Sequence, residues 1–324
     1  MDVELRKDFL LDRWVLIATG RAKRPQHFTR PAEEVGKTCF FCPGRENETP
    51  AEIMRVEEDG RWVIRVFPNK YPAVDFASAE PVQQEGFTAL AAKGVHEVIV
   101  ETPEHTGSIA DLPLQRVVSV LNVYKQRIKA AEDAGSAYAA LFKNSGSEGG
   151  ASLPHSHTQL ISLPHVPRII SEEAKESIRQ KEEKGKCPFC ELMDREKGGL
   201  RCAYADDEVM VLAPYAPRFH YETWIIPKRH VLRLDELTDK ETEAFAKALK
   251  NTLTFLKKEG DLPYNFILHQ SPNDADLHLH LEIYPRIAQH AGFEMGGGDY
   301  ITSGPPEATA DSLRPYFYPS ATHQ

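Results

Sequence analysis

The 324 residues carry 39 basic and 48 acidic side chains, giving a formal charge of −9 and a pI near 5.8. That balance excludes a general nucleic-acid footprint, which needs a basic stripe. No apolar run of eighteen residues occurs and Met1–Lys7 has no apolar signal core, so a soluble cytoplasmic protein without a membrane span is expected, long enough for two ordinary domains.

In chain order, residues 5–17 read as a strand pair interrupted at Asp12-Arg13, and the basic segment Arg21–Pro25 reads as a solvated loop or a phosphate-neutralising arm. Cys39-Phe40-Phe41-Cys42 is a knuckle-like turn. Trp62–Phe67 alternates as a strand and runs into the breaker-rich turn Pro68–Pro72. The strand Gly94–Glu101 delivers His105 into a loop. Asp111–Ala134 has apolar residues at helical spacing, with Asp111 as the expected N-cap. Strands follow at Ala137–Phe142 and His157–Leu163. The charged stretch 166–186 is expected to be an exposed helical connector and the boundary between an N-terminal unit, 1–165, and a C-terminal unit, 187–324.

After that boundary the order of features repeats. A second knuckle, Cys187-Pro188-Phe189-Cys190, precedes strands at Glu208–Ala213 and Tyr221–Ile226, then a loop histidine, His230. A helix over Asp235–Lys258 leads to strands at Tyr264–His269 and Leu277–Tyr284. His278-Leu279-His280-Leu281-Glu282 aligns with His155-Ser156-His157-Thr158-Gln159 position for position. A duplicated α+β unit of antiparallel sheets with long helices packed on them is the simplest architecture.

In a strand, spacing by two puts His155, His157 and Gln159 on one face and Ser156, Thr158 and Leu160 on the other. The Gly- and Ser-rich stretch Phe142–Ser152 feeds into them and suits close approach of backbone N–H groups to a phosphate. Together these point to phosphoryl or nucleotidyl chemistry. Five cysteines form no disulfide framework, and two C-x-x-C pairs in a reducing compartment favour metal over reduced, metal-free thiols. The first half offers Cys39, Cys42, His105 and His155 as tetrahedral ligands, and the second offers Cys187, Cys190, His230 and His278. Cys202 reads as a small buried hydrophobe.

With its H-x-H-x-Q core, C-F-F-C knuckle, Phe67-Pro68-Asn69, His105 and Gly292-Phe293-Glu294-Met295-Gly296, the chain resembles the galactose-1-phosphate uridylyltransferase family of the histidine-triad superfamily, including its ADP-glucose phosphorylase relatives. The resemblance implies two histidine-triad-like repeats, a homodimer, structural zinc (the second metal being zinc or iron) and ping-pong transfer of a nucleoside monophosphate from a nucleotide sugar to a sugar 1-phosphate. It implies His157 as nucleophile, Gln159, Asn144 and Ser152 as phosphate contacts, Asn69 as a nucleoside contact, Glu294 as a hexose contact, and Arg21 and Arg24 as an arm reaching a partner subunit's site. Ser156 and Thr158 replace the usual Pro and Gly of H-P-H-G-Q, and Lys70 stands where uridylyltransferases often carry an acid. UMP exchange between UDP-glucose and galactose 1-phosphate is the expected activity. An adenylyl-transferring enzyme using ADP-glucose and phosphate is the alternative, and a non-catalytic zinc-stabilised nucleotide-binding protein is a second one.

Overall fold

The computed structural model describes residues 3–7, 14–18, 39–272 and 275–318. Its elements are β1 (Val3–Lys7), β2 (Trp14–Ala18), β3 (Met54–Glu58), β4 (Arg61–Pro68), β5 (Ala89–Ala91), β6 (His96–Val100), α1 (Leu114–Asp133), β7 (Tyr138–Ser145), β8 (His157–Leu163), α2 (Arg168–Lys184), α3 (Pro188–Glu196), β9 (Cys202–Ala205), β10 (Val209–Leu212), β11 (Thr223–Pro227), α4 (Asp239–Lys258), β12 (Tyr264–His269), β13 (His280–Pro285), α5 (Gly292–Gly297) and α6 (Pro306–Phe317). β1 pairs with β2 and β5 in a small antiparallel sheet. The others form one sheet in the order β3-β4-β6-β8-β7-β12-β13-β11-β10-β9, with all pairings antiparallel.

The halves meet where β7 pairs with β12, from Tyr264 opposite Ser145 to Ile267 opposite Phe142. The sheet runs unbroken across this junction. α1 buries Val117, Val120, Leu121, Tyr124 and Ile128 at spacings of one side of a helix, and α4 buries Phe245, Leu249, Leu253 and Leu256 likewise. Both stripes cover the same sheet face, so Ile99, Leu141 and Leu160 from the first half share a core with Phe266, Leu268 and Leu281 from the second. α4 starts at a reciprocal cap, in which Thr238 Oγ1 accepts from Glu241 N–H and the Glu241 carboxylate accepts from Thr238 N–H.

Two local expectations are corrected. Asp111 does not cap α1: its carboxylate accepts from Ser108 N–H and Oγ in the preceding 3-10 turn, and Pro113 stands before the helix. Pro113 has no N–H and a fixed φ, which suits a helix start without a side-chain cap. The stretch 166–186 is helical but not wholly exposed. α2 buries Ile170, Ala174 and Ser177, and its apolar stripe docks on Tyr138, Ala140 and Leu277. Cys202 is buried, with Met193, Met210, Leu212 and Ile226, as a small hydrophobe would be.

Candidate active site and metal centres

β8 lies between β6 and β7, and its two faces meet different partners. Thr158 and Leu160 face the helices, whereas His157 and Gln159 face the opposite side, beside Val98 and Val100 of β6. His155 precedes the strand rather than lying in it, and β8 begins at His157. The ring of Phe41, from between the knuckle cysteines, packs edge-on against His157 at 5.3 Å between centroids and against His155 at 6.1 Å.

His157 is 5% exposed, and its Nδ1–H donates to the His155 carbonyl at 2.8 Å. A carbonyl only accepts, so the proton sits on Nδ1 and Nε2 is left with its lone pair. Burial, together with the positive charge of Lys143 behind the strand, pushes the ring down to about 4, so it is neutral near pH 7. A neutral imidazole with a bare distal nitrogen is a nucleophile.

On the helix side a buried polar set supports the same strand. Lys143 Nζ donates to Glu101 Oε2 at 2.5 Å, to Ser156 Oγ at 3.0 Å and to the His157 carbonyl at 3.0 Å. Glu101 also accepts from Ser156 Oγ at 2.6 Å, from Tyr124 Oη at 2.6 Å and from Thr158 Oγ1. Burial acts to raise the Glu101 carboxyl, but Lys143 and these hydroxyls outweigh it and hold it below the usual carboxylate range. The two residues that depart from H-P-H-G-Q, Ser156 and Thr158, therefore anchor the strand from behind.

Three carboxamides of the candidate site have their oxygens tied back. Asn69 Oδ1 accepts from Tyr71 N–H at 2.9 Å. Asn144 Oδ1 accepts from Asn265 Nδ2 at 2.8 Å, the same nitrogen donating to the Gly149 carbonyl at 2.6 Å. Gln159 Oε1 lies 3.0 Å from His96 Nε2. Gly149 is in the loop after β7, where a Cβ would fall 2.2 Å from the Ser145 carbonyl oxygen and 2.9 Å from that of Tyr264. Glycine is the residue that this crossing admits.

Of the other anticipated contacts, Ser152 is exposed in the loop before β8. Glu294 is half-buried and accepts from Ala291 N–H at the start of α5, with no hydrogen bond to the His157 group. Arg21 and Arg24 lie outside the described residues.

Both proposed ligand sets converge. Cys39 Sγ and Cys42 Sγ stand 3.7 and 3.6 Å from His155 Nδ1, and Cys42 Sγ is 3.4 Å from His105 Nδ1. In the second half, Cys187 and Cys190 stand 3.8 and 3.6 Å from His278 Nδ1, with Cys190 3.6 Å from His230 Nδ1. A tetrahedral ion bonded to sulfur and nitrogen at ordinary zinc distances separates those ligands by roughly 3.6 Å. His155 Nε2–H donates to the Thr102 carbonyl at 2.7 Å, and His278 Nε2–H to that of Pro227 at 2.8 Å, so in both the Nδ1 atom is free of hydrogen and faces the sulfurs. His230 Nε2 lies 2.8 Å from Asp276 Oδ1. These eight residues fit two metal ions.

The second half repeats the backbone geometry with different side-chain surroundings. His280 Nδ1–H donates to the His278 carbonyl at 2.9 Å and Phe189 packs on its ring, but His280 is fully buried. Glu282, in the Gln159 position, is 1% exposed, carries Arg218 as an ion-pair partner at 2.7 Å and accepts from Tyr284 Oη. Glu173, His269, His280 and Glu282 form a third group with atoms within 4.8 Å of one another, which the sequence reading did not assemble. Glu173 sits in a charged stretch read as solvated. Also missed were Glu101 and Lys143, whose only local signal is a charge inside an apolar strand, and Asn265, which has none.

The model described as the galactose-1-phosphate uridyl transferase N-terminal domain matches residues 2–167, and that described as scavenger mRNA decapping enzyme C-term binding matches residues 186–288. An ADP-glucose phosphorylase of Arabidopsis thaliana is 34% identical, covering 96% of this chain and 92% of its own. A galactose-1-phosphate uridylyltransferase of Thermotoga maritima is 32% identical over 96% and 98%. Among solved structures, a uridylyltransferase superposes with a TM-score of 0.83 at 32% identity, covering 98% of this chain and 100% of that one. An Arabidopsis thaliana ADP-glucose phosphorylase with bound ADP-glucose gives 0.76 at 32% identity, covering 97% and 99%.

Proposed function

The chain belongs to the galactose-1-phosphate uridylyltransferase family, and we propose that it moves UMP between UDP-glucose and galactose 1-phosphate through His157, giving UDP-galactose and glucose 1-phosphate. The observation that carries this reading is the His157 ring, neutral, with Nδ1–H held by the His155 carbonyl and Nε2 bare. Nε2 attacks the α-phosphorus of UDP-glucose, a P–N bond forms, and the P–O bond breaks with its electron pair on glucose 1-phosphate. The proton on Nδ1 stays throughout, so the nucleotidyl-histidine ring is cationic and remains a good leaving group. A phosphate oxygen of galactose 1-phosphate then attacks the same phosphorus, and the P–N bond breaks to restore Nε2.

Sugar 1-phosphate departs as a stable anion, so a neutral donor at Gln159 suffices where a poorer leaving group would need an acid. In this reading Asn144 and Ser152 contact phosphate, Asn69 the nucleoside and Glu294 the hexose, and Arg21 and Arg24 reach the site of a partner subunit in a homodimer. The exposed apolar side chains Phe293, Met295 and Ile301 around Glu294 support a covered face there. Residues 1–165 form the catalytic unit, joined by 166–186 to the unit 187–324. Zinc is the ion assigned to Cys39, Cys42, His105 and His155, and zinc or iron to Cys187, Cys190, His230 and His278. Four protein ligands leave no open position, so both ions act by holding the chain, the first by fixing the residue whose carbonyl orients His157.

Adenylyl transfer from ADP-glucose to phosphate is the second reading, favoured by the 34% identity to an ADP-glucose phosphorylase. Incubation with UDP-glucose is expected to leave an acid-labile adduct of UMP mass on the peptide containing His157, with label exchange between glucose 1-phosphate and UDP-glucose in the absence of galactose 1-phosphate. An AMP adduct formed from ADP-glucose and none from UDP-glucose selects the second reading, and an adduct on another residue overturns both.

A further inference from the structure

His96, on β6, has no part in the mechanism above, yet it is 4% exposed and placed among the candidate carboxamides. Ala73 N–H donates to its Nδ1 at 3.0 Å. A backbone amide only donates, so Nδ1 is an acceptor, and in the neutral ring Nε2 must carry the hydrogen. That N–H points to Gln159 Oε1, 3.0 Å away. A carboxamide whose oxygen is held presents its NH2 end elsewhere, and the His157 side of the strand is where an anionic phosphoryl group needs donors. Asn69 Nδ2 stands 3.2 Å from the same His96 nitrogen. With the Asn69 oxygen bound by Tyr71 N–H, both nitrogens of this contact carry hydrogen, so it is not a hydrogen bond, and the acceptor facing His96 Nε2–H is Gln159 Oε1.

The same orientation recurs at Asn144, where Asn265 Nδ2 holds the oxygen and Gly149 C=O fixes which end of Asn265 is the donor. In each of the three cases a backbone group decides the polarity, so the pattern does not depend on choosing amide orientations freely. Register explains why His96 serves Gln159: Val98 lies directly opposite Gln159, and His96 is its diagonal neighbour on the same face.

We propose that His96 is a positioning residue for nucleotidyl transfer: it holds the Gln159 oxygen back so that the Gln159 NH2 faces the phosphoryl oxygens. This rests on the reading of His157 and Gln159 given above. Without the tie, the amide is free to turn its oxygen toward the phosphate, where it repels rather than stabilises.

The test is a double-mutant cycle on the first half-reaction, using the intact protein with its metals, UDP-glucose and labelled glucose 1-phosphate. Q159A is expected to lower the exchange rate by about a hundredfold, in the range for one lost donor at a reacting oxygen, and H96L by about ten- to a hundredfold. The H96L loss should fall on kcat, with KM for UDP-glucose changed by no more than about twofold. The H96L/Q159A protein should be within about threefold of Q159A, since His96 acts only through that amide. H96Q, which can accept from Ala73 N–H and still donate to Gln159, should recover to within about fivefold of the parent. Equal losses from H96L in the parent and in the Q159A background overturn the proposal. Should H96L not fold, H96Q decides alone: recovery supports the proposal and a loss as deep as that of Q159A overturns it. If the parent protein shows no exchange, or H157A retains it, the underlying reading fails rather than the role of His96.

Discussion

At the scale of single residues, two histidines separated by one serine present different ring nitrogens to their neighbours, and the roles proposed for them follow from that. His155 turns Nδ1 to the cysteines, while His157 gives its Nδ1 proton to the His155 carbonyl. Substitution should separate them. His157→Gly is expected to lower label exchange by more than about a thousandfold, the scale on which loss of a nucleophile registers, while elemental analysis finds its metals in place. His155→Ala should lose the ion bound by Cys39, Cys42 and His105 as well as activity. Metal lost from His157→Gly, or retained by His155→Ala, would reverse the two roles. The spacing of these residues was legible in the chain, but the engaged nitrogens were not, because each depends on Thr102 or on the path of the backbone around residue 155.

At the scale of the element, β8 is held from behind by a buried ion pair. Glu101 is fully buried and Lys143 2% exposed, so removing one partner leaves a charge in the core. Glu101→Gln is expected to cost about 3–5 kcal/mol in chemical denaturation at pH 7. The pH dependence has a definite sign. The Glu101 carboxyl is held below its ordinary 4.5, so its contribution is fully present above that pH and is lost as pH falls through the lower folded value. The gap in stability between the parent and Glu101→Gln should therefore be constant above about pH 5 and narrow in acid. A gap that widened in acid would show that the carboxyl is protonated in the folded protein at neutral pH. Periodicity located β8 and both long helices, since a strand or helix stripe is written in neighbouring residues. It missed the short edge strands β3 and β9, and it treated α2 as solvated because its charges outnumber the few apolar residues, Ile170 and Ala174, that dock it.

At the scale of the whole molecule, the unbroken sheet brings the second half into contact with candidate residues of the first. β12 lies beside β7, and Asn265 crosses that junction to hold both Asn144 and the Gly149 carbonyl, with Arg286 donating to its oxygen at 3.0 Å. Asn265→Ala is expected to lower kcat/KM for UDP-glucose about tenfold, the scale of one net hydrogen bond, with both metals retained. Unchanged kinetics would show that Asn144 needs no support from the second half. The second half differs at the matching positions: His280 is sealed from solvent, and Glu282 places a carboxylate, engaged by Arg218, where the first half has a neutral amide.

The sequence by itself determined the residue types and their local spacing. The H-x-H-x-Q run, the two C-x-x-C knuckles and the internal repeat are properties of near neighbours, and metal and phosphoryl chemistry constrain residues at that range. The tertiary structure decided which ends of those side chains face the site. Gln159 takes its orientation from a histidine 63 residues away and Asn144 from an asparagine 121 residues away. A hydrogen bond depends on direction over a few ångströms, and only the pairing of strands distant in the chain brings these partners within that range.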